Sequence, residues 1–230
     1  EKSCLEISLP CTNFWKMKNR NTLLSICTLS ICLFGFSQND QRARLLLNQL
    51  SETYATFESM YIEFEYVLDN RKEGISQQEK GVLLVADDKY ILTIMGIQQL
   101  YNGTSIYTID DLNEEVTIQE GVTGDSPINP LDMFDFHKEG YLLQWDILQN
   151  VSGMKIQYVK LIPTDPESQT KYLLLGINTT NNELYKIIDL GINGTDTTLT
   201  IKEFVANSSI APNTFVFDES KYSNYYIDSF

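Results

Sequence analysis

Ile62-Glu63-Phe64-Glu65-Tyr66-Val67-Leu68 sets apolar side chains at every second position, with Glu63, Glu65 and Val67 between them. A period of two sends successive side chains to opposite faces of a strand, so the stretch predicts a half-buried antiparallel strand. Upstream, Ala43, Leu46, Leu47, Leu50, Tyr54 and Phe57 recur three or four residues apart. That spacing predicts an amphipathic helix of about five turns, capped by Asn39 or Asp40.

Downstream the alternation continues in short pieces separated by turn residues. Arg71 to Gln78 reads as a polar loop with Gly74, and Gly81 to Ala86 as the next strand, turning at Asp87-Asp88. Lys89 to Met95 returns, Gly96 breaks the run, and Gln98 to Tyr101 pairs onward. Asn102-Gly103 is the strongest hairpin signal in the chain. Ser105 to Ile109 and Glu115 to Gln119 follow, split by the acidic turn Asp110 to Asn113. After a loop at Gly121 to Asn129, Pro130 to Phe136 reads as a short apolar helix and Glu139 to Asp146 as a second. Strands resume at Met154 to Ile162, Tyr172 to Asn178, Leu184 to Leu190, Thr197 to Val205 and Asn213 to Phe217. The last two read as a hairpin that closes the domain. These elements predict an α+β fold, mainly antiparallel β. About eleven strands curl into an unclosed barrel under a helical lid, made of the long N-terminal helix and the short central helices.

The N-terminal region follows another logic. Residues 1–16 show no period and read as a non-native or upstream extension. Met17-Lys18-Asn19-Arg20 is a basic start, the apolar run Leu23 to Phe34 follows, and Gly35-Phe36-Ser37 supplies small residues before Gln38. This is the layout of a signal peptide over 17–37, cleaved near Ser37/Gln38, too short for the roughly 20 residues of a membrane span. Cys4, Cys11, Cys27 and Cys32 all precede that point, so the mature domain 38–230 would lack disulfides and thiol chemistry. The chain carries a net charge of −14, and losing a segment of charge +2 leaves −16. Such a surface repels nucleic acid and anionic membranes.

Residue types for catalysis are scarce. The one histidine, His137, reads as a solvated or capping residue. Asp87-Asp88, Asp110-Asp111 and Glu114-Glu115 fall in turns, where acids are common. No metal or cofactor motif is present. Apolar and aromatic surface is abundant instead. A greasy cavity would be lined by Leu46, Leu50, Ile62, Phe64, Tyr66, Leu84, Leu92, Ile94, Leu100, Leu131, Met133 and Phe134.

Four stretches in this order resemble the LolA outer-membrane lipoprotein carrier family. They are Leu50-Ser51-Glu52-Thr53-Tyr54-Ala55-Thr56-Phe57 before Ile62-Glu63-Phe64; Gly81-Val82-Leu83-Leu84-Val85 before Asp88-Lys89-Tyr90; Leu100-Tyr101-Asn102-Gly103 running to Ile109; and Phe204 to Ile210 with Phe215-Val216-Phe217 and Ile227-Asp228. The resemblance covers residues 39–230. It implies a monomeric periplasmic carrier that is not an enzyme and needs no cofactor. It would hold acylated lipoproteins, take them from an inner-membrane ABC-type release complex and pass them to an outer-membrane acceptor. The family often has an arginine after the aromatic of the second motif, where this chain has Ile91 or Leu92. The alternatives are a lipid- or lipoprotein-sensing regulatory module on the same fold and a secreted hydrolase using acidic residues.

Overall fold

The alternating stretch at 62–68 lies in the middle of β1 (Ser59–Asn70), a twelve-residue strand paired on both sides from Met60 to Asn70. The computed structural model describes residues 34–120 and 134–230. On one side of β1 lies a five-strand meander. It continues through β2 (Ile75–Ala86), β3 (Lys89–Ile94), β4 (Ile97–Tyr101), β5 (Ser105–Asp110) and β6 (Glu115–Glu120). On the other side lies a second meander of β7 (Tyr141–Val151), β8 (Met154–Pro163), β9 (Thr170–Asn178), β10 (Glu183–Gly191) and β11 (Thr195–Ala206). The antiparallel β1–β11 pair joins the two, and β12 (Tyr226–Ser229) adds parallel to β6. The result is one twelve-strand sheet with β7 and β12 at its ends, unclosed, and curled on the helix α1 (Phe34–Tyr54).

Several expectations change. Phe34 is already helical, so Asn39 and Asp40 lie inside the helix, and Phe57 lies beyond its last turn. The loop expected over Arg71 to Gln78 is only Arg71–Gly74. Asn70 Oδ1 closes that turn by accepting from the Lys72 and Glu73 amides, and backbone pairing then carries the polar residues from Ile75 onward into β2. The helix expected over Glu139 to Asp146 is strand β7. Its Ser152-Gly153 turn, with φ of 50° and 86°, folds it back onto β8, and Tyr141, Leu143 and Trp145 alternate inward. Of the helix expected at Pro130 to Phe136, residues 130–133 lie outside the described residues. The remainder leads into a single 3-10 turn, Phe136–Lys138. Asn213 to Phe217 is not a strand. A hairpin there would need a free edge on β11, but β11 already pairs with β1 and β10.

Register sorts the side chains into two faces. Met60, Ile62 and Phe64 stand opposite Val85, Leu83 and Gly81, which in turn face Tyr90, Leu92 and Ile94. These join Val159, Leu161, Leu173, Leu175 and Ile177 from the other meander in one core around Ala43, Leu46, Leu47, Leu50 and Tyr54 of α1. This is the concave face. Burying each such aliphatic side chain is worth about 1.5–3 kcal/mol. The Phe64 ring lies over Gly81, where an added Cβ would clash with it.

Tyr54 ties the end of the helix to the sheet. Its hydroxyl accepts from the Leu184 amide at 3.1 Å, beside a β-bulge in β10, and its ring stacks on Phe134 at 3.7 Å. Ser51 Oγ donates to the Phe134 carbonyl at 2.8 Å, so the turn that carries His137 docks on the helix. His137 is therefore buried, at 2% exposure, and not solvated as expected. Burial, only partly opposed by the Asp135 charge, lowers its pKa.

The opposite face is covered differently. Leu100, Ile109 and Val116 are buried there, off the concave core. Beyond β11 the chain crosses this outer face as a strap, residues 207–230. Asn207 Oδ1 accepts from the Glu58 amide at 2.8 Å. Phe217 stacks on Tyr107 at 4.3 Å and on Tyr222 at 5.3 Å, and the Tyr225 hydroxyl donates to Asp111 at 3.1 Å. The strap ends as β12.

Gly81→Val should lower stability by about 1–3 kcal/mol in chemical denaturation, because the boxed-in Phe64 ring has to move. Phe217→Ala should loosen the strap without unfolding the sheet. Hydrogen exchange should speed up at the Tyr226 and Phe230 amides and leave β1 and β11 protected. Lowering the pH from about 7.5 to about 5.5 should lower Tm, because the unfolded chain protonates its histidine near pH 6.5 and the fold resists that proton. In His137→Leu that slope should flatten.

Candidate functional site

The concave face divides into a packed part and an open part. Under α1, Leu50, Ile62 and Phe64 are buried. Toward the far ends of the same strands lie Tyr66 (β1), Leu92 and Ile94 (β3), Ile187 (β10) and Leu199 and Ile201 (β11). These are only half-buried, yet they pack against the same core. Tyr141 and Trp145 of the edge strand β7 flank them. Strand alternation places them: Ile187 faces Leu199 across β10 and β11, and Leu199 faces Tyr66 across β11 and β1. Together they form a continuous apolar surface that the fold leaves partly uncovered.

The expected lining residues divide accordingly. Leu46, Leu50, Ile62, Phe64 and Phe134 are core, while Tyr66, Leu92 and Ile94 lie in the half-open part. Leu84 and Leu100 turn to the other face, which corrects their place in the set. Leu84 pairs with Tyr61 and Leu100 with Tyr107, both one residue out of phase with the concave positions. Leu84 instead lines an outer depression of about 380 Å³ with Tyr61, Val205, Ile210, Ala211 and Thr214. Leu131 and Met133 lie outside the described residues. Sequence reading passed over Ile187, Leu199 and Ile201, although their strands showed the right alternation. It missed Tyr141 and Trp145 because β7 was read as a helix; the Ser152-Gly153 turn was the signal for the strand.

Two polar features touch this surface. The Arg42 guanidinium of α1 lies over the Trp145 ring, 4.3 Å from its centroid, and so links the helix to the edge strand. Asp189 follows Ile187 by two residues on β10 and shares its face, opposite Leu173 and Thr197. Thr170 Oγ1 donates to Asp189 Oδ2 at 3.0 Å, whereas the buried Oδ1 has no hydrogen-bond partner. Burial pushes the Asp189 carboxyl up, and the nearby Asp196 charge adds to that. Burial also raises the Tyr66 and Tyr141 phenols, and the Asp189 charge raises them further.

Elsewhere Asp110 acts as a turn lock. Asp110 Oδ1 accepts from the Leu112 and Asn113 amides, and bonds from Asn113 hold its carboxyl below the usual range. Among the described residues no three His, Cys, Asp or Glu side chains gather to hold a metal, and no helix is long and apolar enough to cross a membrane.

No family model matches this chain, and no curated protein matches it in sequence. Solved structures do. The chain is similar to an uncharacterized conserved protein from Thermus thermophilus, with 8% identity over 82% of this chain and 99% of that one and a TM-score of 0.52. It is also similar to a DUF1329 family protein from Desulfovibrio piger, with 10% identity over 80% and 99% of the two chains and a TM-score of 0.46. A LolA superfamily protein from Nitrosomonas europaea shares 12% identity over 76% and 98%, with a TM-score of 0.39. At these identities the likeness is one of fold alone.

Proposed function

We propose that this protein is a periplasmic, non-enzymatic carrier that holds the acyl chains of lipoproteins against its concave face and ferries them from the inner to the outer membrane. It would receive cargo from an ABC-type release complex and deliver it to an outer-membrane acceptor. The observation that carries this reading is the half-buried apolar surface of Tyr66, Leu92, Ile94, Ile187 and Leu199, continuous with the core beneath α1. Apolar surface held partly in water is unfavourable for the free protein and favourable once an acyl chain covers it. Each methylene taken from water is worth about 0.8 kcal/mol, so a long chain is retained without any reacting group. The motif order of the LolA family points the same way.

Purified protein should bind a fluorescent long-chain acyl probe. Ile94→Asp, in the half-open part, should weaken that binding at least about tenfold, since a charge there opposes an apolar ligand. Leu84→Asp, on the outer face, should leave it within about twofold. Mass spectrometry of the protein purified from its own cells should find acylated cargo. If no acylated cargo co-purifies, and depletion leaves lipoproteins correctly sorted, the carrier reading fails.

A further inference from the structure

Resting on the carrier reading, we propose that Asp189 selects the ligand: its Oδ1 accepts a hydrogen bond from an N–H at the point where an acyl chain joins its head. The preferred class is then the amide-linked N-acyl peptide, over acyl esters and free fatty acids.

The argument starts from an unmet bond. Asp189 stands on the concave face, two residues along β10 from Ile187 and opposite Leu173 and Thr197, where its charge is felt by the Tyr66 and Tyr141 phenols. Thr170 satisfies one carboxylate oxygen, and the other is buried with no donor. Asp189 is in none of the ion pairs among the described residues. Buried carboxylate oxygens are normally hydrogen-bonded, and an unmet one weakens the fold. Tying β9 to β10 through Thr170 does not explain the acid, because an asparagine oxygen accepts that bond equally well. Protonation does not remove the problem either, since it turns an unmet acceptor into an unmet donor.

A ligand completes the bonding. An acyl chain lying over Ile187 and Leu199 brings its head group to Asp189, the next inward position on β10. An amide there offers an N–H to Oδ1 once the half-buried carboxyl turns that oxygen toward the ligand. An ester offers no donor, and a free fatty acid brings a second carboxylate against the first.

The test compares three probes with the same palmitoyl chain: an N-palmitoyl dipeptide amide, the matching O-palmitoyl ester and palmitate. Affinities for wild type, Asp189→Leu and Asp189→Asn are read by displacement of a fluorescent acyl probe. Wild type should bind the amide about tenfold more tightly than the ester, the scale of one charged hydrogen bond. Asp189→Leu should bind the two alike and melt no lower than wild type, having lost the unmet group; Asp189→Asn should keep part of the preference. Equal binding of amide and ester by wild type, or an undiminished preference in Asp189→Leu, overturns the assignment and leaves the carrier reading standing. If no probe binds, both fall together.

Discussion

The pairing of β1 with β11 is the seam on which the rest of the structure depends. Each meander is built from contacts close in sequence and would form a sheet on its own side. Only this seam, which brings residues 60–70 against 195–206, makes one sheet of them. Its closure entropy is large, and it is secured at both ends. Asn207 and Ser59 exchange side-chain and backbone bonds with their neighbours at one end, and Asn70 Nδ2 donates to Thr195 Oγ1 at the other. Once the seam is made, Met60, Ile62 and Phe64 line up with Phe204 and Ile201, and α1 has a floor to lie on.

From that seam the two faces acquire different characters. The concave face is apolar from the helix outward and ends in side chains the fold does not finish burying. The outer face of β4 to β6 is apolar too, but the strap covers it through an aromatic stack, and the two halves of the protein solve the same problem in different ways. The strap consumes chain length to cover its patch, whereas nothing among the described residues closes over Ile94 and Leu199 to the same degree. Stacked aromatic pairs contribute about 0.5–1.5 kcal/mol beyond the area they bury, enough to hold a short parallel edge strand in place.

Much of this was legible in the residues. Period-two alternation located ten of the strands, Asn102-Gly103 marked one of their turns, and the three- and four-residue spacing found the face of α1 that packs. What alternation alone did not reveal was which face each strand presents inward. Leu84 and Leu83 look alike in sequence, and only pairing with β1 decides between them. The β7 segment failed because Leu142-Leu143 fits a helical stripe as well as a strand, and a short apolar run does not separate the two. The C-terminal hairpin failed for a non-local reason: its apolar alternation was suited to a strand, but both edges of the neighbouring strand were already taken. Asp189 drew no notice because one acid in an alternating strand is ordinary until burial shows that its oxygen lacks a donor.

The two end strands, β7 and β12, are not neighbours in the sheet. In a closed barrel the girth follows from strand number and shear, and changing it means breaking a ladder. Among the described residues no row of backbone bonds runs the full way round, so the circumference is not quantised. A small change of twist shared over twelve strands widens or narrows the rim while every existing ladder stays intact. The sheet is in that respect a clasp and not a ring, and its girth follows the twist of its strands.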